Sequence, residues 1–436
     1  MDINIKEYGG IGDGVTVNTE IIQRAIDECH ASGGGRIVFE GGVYMTGRIN
    51  LKSNIELHIA PSGTLLGSPD CFDYPEIKEP KHVNNDYLPR WRNGCIIFAD
   101  ECENIAITGN GRIDGNGTKF VWLDPNKKRG WKYRRIDAPT PPRAVFLTGC
   151  RNVKLEDVTL VNQPAGWAYW IHDCDYVTAD KLKIEACVDY PNNDGIHINC
   201  SRNVTISNCS ITCGDDCLVV RANSASLKEN KPCERVTITN CNLTSYSGGI
   251  RIGWVNDGVI RNCTFSNLVM TDTTIGVSIY LPHKIRDETK TDIMSCDIGR
   301  ESTLMENLTF SNIIMDKTSH FPVFIRIEDS EHVHVDALRR LYFSNIHATA
   351  AEFPYLQGRP DCYIDEIHFN DCTFEITDGS ELPNRDTHGA CSVFDPEPCD
   401  MMLRYVSNVE FNNTKFTVKR GRSGGPNPTR RIEGEK

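Results

Sequence analysis

Residues 204–211 read VTISNCSI. Aliphatic and polar residues alternate, an Asn closes the alternation, and a small Cys follows. The same phrase stands at 153–160 (VKLEDVTL), 177–184 (VTADKLKI), 236–243 (VTITNCNL) and 259–265 (VIRNCTF). It continues at 308–315 (LTFSNIIM), 341–348 (LYFSNIHA), 367–374 (IHFNDCTF) and 409–416 (VEFNNTKF). The first five copies lie roughly 22 to 32 residues apart, with room for loop insertions in the longer gaps. Short alternating strands ended by Asn or Gly at such a period mark an all-β solenoid. One coil cannot bury its own apolar face, so stacked coils share one continuous core. A length of 436 residues alone suggests about three domains. The repeat predicts instead a single domain over 1–420.

The rest of the chain fits around that spine. In NTEIIQRAIDECHASGGG (18–35), a cap at Asn18 or Thr19 and a stripe of Ile21, Ile22, Ala25, Ile26 and Cys29 predict a helix over 18–32, ended by Gly33 to Gly35. Its expected place is over an open end of the solenoid, where bare strand edges invite aggregation. Residues 421–436 are polar and rich in Gly and Pro, and are expected to form a disordered tail. Cys209, Cys241, Cys263 and Cys372 recur at one repeat position, which suits stacked small apolar residues better than metal or redox chemistry. The 19 cysteines are an odd number and show no paired C-x-x-C framework.

A net charge of −12 offers no basic excess for nucleic acid. No stretch approaches the ~18 apolar residues of a membrane span, and MDINIKEYGG reads as no signal peptide. The expectation is a cytoplasmic, reduced protein, monomeric or weakly oligomeric, with no membrane partner.

Two stretches carry the chemistry. YPNNDGIHI (190–198) and CGDDCLVV (213–220) set Asp194, Asp215 and Asp216 directly before apolar strand residues. Twenty-one residues separate Asp194 from Asp215, close to one coil, and residues one coil apart stack at about one strand spacing, ~4.8 Å. Three carboxylates on one outer face cannot all ionise freely, so at least one pKa should rise. A protonated carboxyl beside an ionised one is what glycoside hydrolysis requires. The plainer readings are Asp residues capping turns, or a Ca²⁺ site.

At this point the chain resembles the polygalacturonase-type glycoside hydrolases of family 28, over nearly its whole length. The carrying text is YGGIGDGVTVNTEIIQRAID, GGGRIVFEGGVYMTGRINLKSN, GTLLGSPD and NQPAGWAYW (162–170). The family's Asn-Thr-Asp matches Asn192, Asn193 and Asp194, with Asn193 in place of Thr; its Gly-Asp-Asp matches Gly214, Asp215 and Asp216 unchanged. The resemblance implies a right-handed parallel β-helix acting on pectin by inversion, without metal or other cofactor. It makes Asp215 the general acid, with Asp194 and Asp216 positioning and deprotonating the water. A pectate lyase would instead need Ca²⁺ ligands.

Two departures qualify the match. The family's Gly-His-Gly aligns with Ser247, Gly248 and Gly249, so its His is absent. Its Arg-Ile-Lys, which grips a galacturonate carboxylate, aligns with Ser278, Ile279 and Tyr280, so both cations are absent. A hydroxyl cannot replace a bidentate guanidinium. Strand alternation then predicts an outward column of His197, Val219, Arg251 and Ser278, in which Arg251 is a cation moved one coil earlier. The substrate-contacting candidates are Asn192, His197, Arg221, Arg251, Tyr280 and Trp167. Arg326 and Glu328 read as a surface ion pair. Tyr169, Trp170, Trp91, Trp122 and Trp131 are further aromatic candidates for sugar stacking, and the basic insertion over 118–143 is expected to wall one end of a groove and make the enzyme exo-acting. The expected activity is hydrolysis of rhamnogalacturonan- or galacturonate-containing oligosaccharides. The alternatives are a neutral glycoside such as a rhamnoside, or a non-catalytic carbohydrate-binding solenoid.

Overall fold

Each copy of the repeated phrase folds as strand, corner, strand, and the residue at its Asn position makes the corner. In the computed structural model Asn208 has φ 57°, Asn240 55°, Asn312 54° and Asn345 53°, with Asp157 at 62° and Asp371 at 55° in the same role. Asn and Asp tolerate this left-handed conformation because their short polar side chains bond locally. The structure describes residues 1–77, 94–127, 131–136, 143–282, 299, 301–377 and 401–419, and the backbone of the strand Arg430–Glu433. These fall into two compact units, one formed by residues of 1–127, 131–214 and 226–228, the other by residues of 215–225 and 229–436.

In the first unit three parallel ladders run from coil to coil. One stacks Asp2–Asn4, Gly35–Phe39, Ile55–Ile59, Glu103–Thr108, Arg151–Glu156, Asp175–Asp180 and Arg202–Ser207. A second stacks Asp13–Val17, Gly42–Thr46, Gly63–Gly67, Arg112–Asp114, Thr159–Val161, Lys183–Glu185 and Ser210–Cys213. The third stacks Ile49–Asn50, Cys95–Asp100, Arg143–Thr148, Tyr169–His172 and Ile196–Asn199. This last ladder leads to the site residues. Corner Asn residues bond along the stack: Asn104 Nδ2 donates to Asn54 Oδ1 at 2.9 Å, and Asn152 Nδ2 to Asn104 Oδ1 at 2.6 Å.

The second unit repeats the plan with longer strands. Cys233–Ser245, Val259–Thr271, Thr303–Thr318 and Val335–Ala350 pair in parallel. The site-bearing ladder stacks Leu218–Arg221, Gly248–Ile252, Ile275–Leu281, Val323–Ile327, Tyr355–Gln357 and Met401–Arg404, with Arg430–Glu433 beside the last. The aromatic position of the phrase forms a stack of Phe265, Phe310, Phe343, Phe369 and Phe411, with ring centroids 4.7 to 5.0 Å apart. The first four are fully buried, each worth about 1.5–3 kcal/mol of apolar burial. Both units are thus runs of parallel β-helix, right-handed as parallel crossovers are.

Cys209, Cys241, Cys263 and Cys372 are buried free thiols pointing at backbone carbonyls, Cys209 Sγ reaching Ser207 O at 3.2 Å. The N-terminal helix spans Thr19–Ala31 and buries Ile22, Ala25, Ile26 and Cys29, while Ile21 is only half-buried. Asn18 stands at its start without capping through its side chain. That amide instead accepts from Ile11 N and donates to Ile11 O and Thr16 O, and Thr19 Oγ1 accepts from Gly47 N, so the expected cap residues tie the helix to neighbouring chain. Of the glycines after the helix, Gly34 and Gly35 are required by space, whereas Gly33 has room and is set by its φ of 98°. A Cβ on Gly34, at φ 110°, would meet Asn54 O at 2.4 Å.

Within the 118–143 insertion, Val121–Leu123 pairs antiparallel with Tyr133–Arg135 as a hairpin. Its residues 128–130 and 137–142, together with Trp91, lie outside the described residues. Of the tail expected to be disordered, Arg430–Glu433 instead pairs as a strand with Met401–Arg404, and the rest lies outside the described residues. Among the described residues no helix is long and apolar enough to cross a membrane.

Candidate active site

In the first unit, the loop before Ile196–Asn199 carries Asn192, Asn193 and Asp194. Asn192 turns the chain at φ 53°. Asn193, fully buried, accepts from Gly214 N–H at 2.7 Å and donates to Cys187 O at 2.9 Å. The carbonyl of Asp194 is held by Gln163 Nε2 at 2.8 Å and Ala168 N at 2.9 Å. The sequence order Asn-Asn-Asp therefore gives one residue for the turn, one for backbone ties and one buried carboxylate, Asp194 being 6% exposed.

His197 follows on the strand, in register with Trp170 and packed on Trp167 with ring centroids 4.0 Å apart. Trp167 is half-buried, whereas Tyr169 and Trp170 are buried. Phe98, Phe146 and Trp170 continue the column, the last two stacked at 4.0 Å. Arg143, only 2% exposed, lies over Trp170 at 4.0 Å and Trp167 at 4.6 Å.

In the second unit, Asp215 and Asp216 precede Leu218–Arg221. Asp216 Oδ1 accepts from Ser247 Oγ at 2.8 Å and Gly248 N at 2.9 Å, and Asp216 N donates to Asp215 Oδ1 at 3.1 Å. Gly248 has to be glycine, since a Cβ there would sit 2.7 Å from Asp216 Oδ1. Burial and then the neighbouring Asp216 charge push the Asp215 carboxyl up to about 7. Asp216 is also raised by burial, but Arg251, Ser247 and Gly248 oppose the rise. Asp215 is thus the better placed of the two to hold a proton, and the pair titrates as a unit.

The register of the predicted column holds within this unit: Val219 pairs with Arg251, and Arg251 with Ser278. Its predicted exposure does not. His197, Val219, Arg251 and Ser278 are each at most 4% exposed, with Trp167 against His197 and Trp254 and Tyr280 against Arg251. Arg251 rests against Trp254 at 4.3 Å and Tyr280 at 5.2 Å and donates to the carbonyls of Gly253 and Tyr280 at 3.3 and 3.2 Å. Arg221 forms a two-point ion pair with the buried Asp257. Tyr280 is buried, and its hydroxyl donates to Glu328 at 2.7 Å. Arg326 meets the same carboxylate at 3.1 Å. With side chains 14% and 18% exposed, Arg326 and Glu328 belong to a half-buried network rather than the expected surface pair.

Sequence reading missed Arg143, Ser247, Gly248, Trp254 and Asp257 as members of these surroundings. Ser247 and Gly248 had a signal, since they occupy the family's Gly-His-Gly position. Asp257 had a weaker one, because a buried Arg at a strand end requires a counter-charge.

Coils of parallel β-helix with carboxylates set directly before the strands Ile196–Asn199 and Leu218–Arg221 define the class to which this chain's architecture belongs. The chain belongs to glycosyl hydrolases family 28, whose model matches residues 82–349. It is 28% identical over 284 residues to a probable polygalacturonase of Vitis vinifera, covering 63% of this chain and 56% of that protein. It is 27% identical over 315 residues to the exo-poly-alpha-D-galacturonosidase of Dickeya chrysanthemi, covering 63% of this chain and 51% of that protein. The chain thus spans about half the length of these curated relatives. A hyperthermoactive exopolygalacturonase from Thermotoga maritima shares the fold with a TM-score of 0.72 at 23% identity, over 95% of this chain and 91% of that one.

Proposed function

We propose that this protein is an inverting glycoside hydrolase acting at the ends of pectin-derived oligosaccharides containing galacturonate or rhamnogalacturonan. Asp215 protonates the leaving oxygen, while Asp194 and Asp216 orient and deprotonate water. The observation that carries this reading is the asymmetry of the Gly-Asp-Asp pair. Both carboxyls are raised by burial, but the neighbouring Asp216 charge adds to the rise of Asp215, whereas Arg251, Ser247 and Gly248 oppose that of Asp216. Family membership and the exo-acting relative support the substrate class and the mode of attack. The hairpin of the 118–143 insertion suits a wall at one end of a groove.

One observation favours a neutral sugar beside the scissile bond. Arg221 is engaged by Asp257, and Arg251 donates to carbonyls. The Ser278 hydroxyl, at the position of the missing family Arg, is 1% exposed and has no hydrogen-bond partner among the described residues. With both cations engaged and this hydroxyl buried, none of the three offers a charged group to a sugar carboxylate.

The test is a panel of galacturonate, rhamnogalacturonan and rhamnoside oligosaccharides with the wild type and Asp215→Asn, with product anomers followed by NMR. Single-residue release with inverted anomers, abolished in Asp215→Asn, is the expected result. Retention of configuration, or full turnover by the variant, overturns it.

A further inference from the structure

Trp131 belongs to the hairpin insertion, yet its indole Nε1–H donates to Gly214 O at 2.6 Å. That carbonyl is half of the peptide leading into Asp215. The N–H of Gly214 is taken by Asn193 Oδ1 at 2.7 Å, next in the chain to Asp194. Gly214 has no free volume on its third side. An added Cβ would meet Tyr190 O at 2.3 Å, Asn193 Oδ1 at 2.6 Å and Val188 O at 2.8 Å. The hairpin grips the same loop again: Tyr133 N donates to Asp189 O at 3.2 Å, the Tyr133 and Tyr190 rings meet edge to face at 4.9 Å, and Lys132 pairs with Asp189 at 3.2 Å. The ion pair is solvated and worth little, so the indole bond and the ring contact do most of the holding.

We propose that Trp131 is a positioning residue for the proposed hydrolysis: the hairpin braces the Cys187–Gly195 loop and the Gly214 peptide, fixing the backbone from which the catalytic carboxylates project. The inference rests on the hydrolase reading above. Gly214 is thus held through both of its flanking peptides, one by its N–H and one by its C=O, and carboxylates placed within a fraction of an ångström are what acid catalysis rewards. An indole donor reaching from a separate hairpin also makes the insertion part of the reaction machinery as well as a wall.

Trp131→Phe keeps the ring and removes the donor. With the oligosaccharide that the wild type cleaves, kcat should fall about tenfold while KM stays within about twofold, since the bond positions catalytic groups and touches no sugar. The falling high-pH limb of kcat/KM should move to lower pH as water reaches Asp215. Hydrogen exchange of peptides covering 187–195 and 211–216 should quicken, with the helical coils elsewhere unchanged. Unchanged kcat and pH limb in a correctly folded variant would overturn the proposal, as would unchanged exchange of those two peptides. If the wild type cleaves no pectic oligosaccharide, the hydrolase reading fails by itself, and the exchange measurement still decides whether Trp131 braces the loop.

Discussion

Arg221 and Asp257 meet fork to fork, Nε to Oδ2 at 2.5 Å and the terminal nitrogen to Oδ1 at 2.7 Å, with Asp257 fully buried. Arg221 ends the Gly-Asp-Asp strand, so its guanidinium, counted as a substrate contact from sequence, has a structural partner. Arg221→Met would strand a buried carboxylate and should cost about 3–5 kcal/mol in urea unfolding. The double variant Arg221→Met with Asp257→Leu should recover much of that loss. A single variant as stable as the wild type would show that the pair holds nothing.

Asp215→Asn keeps the shape and removes the transferable proton. Turnover on the true substrate should fall at least ~10²-fold with the thermal midpoint unchanged or raised.

Burial and the Asp216 charge raise Asp215 from its ordinary 3.8 to about 7, so the folded chain keeps a proton that the unfolded chain releases. This contribution to stability is whole below about pH 4 and is lost as pH rises through about 7. The unfolding free energy of the wild type should therefore decline relative to Asp215→Asn across that window. The rate should decline over the same upper limb, because the acid must be protonated to act. A flat difference between the two proteins from pH 4 to 8 would refute the raised Asp215.

Arg251 lowers both carboxylates of the pair. Arg251→Met should therefore shift the high-pH limb of the rate upward, with KM for a neutral oligosaccharide within about twofold of the wild type. A KM increase of about tenfold or more, seen on galacturonate oligosaccharides alone, would instead return Arg251 to the role of carboxylate clamp.

Asn312 combines a left-handed corner with two ladder bonds, to Asn267 at 3.1 Å and from Asn345 at 2.9 Å. Asn312→Ala should cost about 1–2 kcal/mol, and Asn312→Gly less, since glycine retains the corner. Equal losses in the two variants would assign the cost to the ladder alone.

The repeated phrase determined the fold, because alternation with an Asn corner has few other ways to bury its apolar face, and the Asn and Phe positions each became a stack. The expected Cys stack did not form, since Cys263 falls opposite Val236 and Cys241 opposite Leu268. The carboxylate motifs were legible too, since they interrupt apolar strands where charge is costly. The register of Val219, Arg251 and Ser278 followed from alternation alone. Burial of that column did not, for alternation fixes only the face a side chain points to, while covering depends on Trp254 and Tyr280 reaching across from other positions. In the same way Arg221 meets Asp257, Asp216 meets Ser247 and Gly214 meets Trp131 across 36, 31 and 83 positions of chain. Hydrogen bonds and desolvation act over a few ångströms of space, so only the folded chain decides which groups they join.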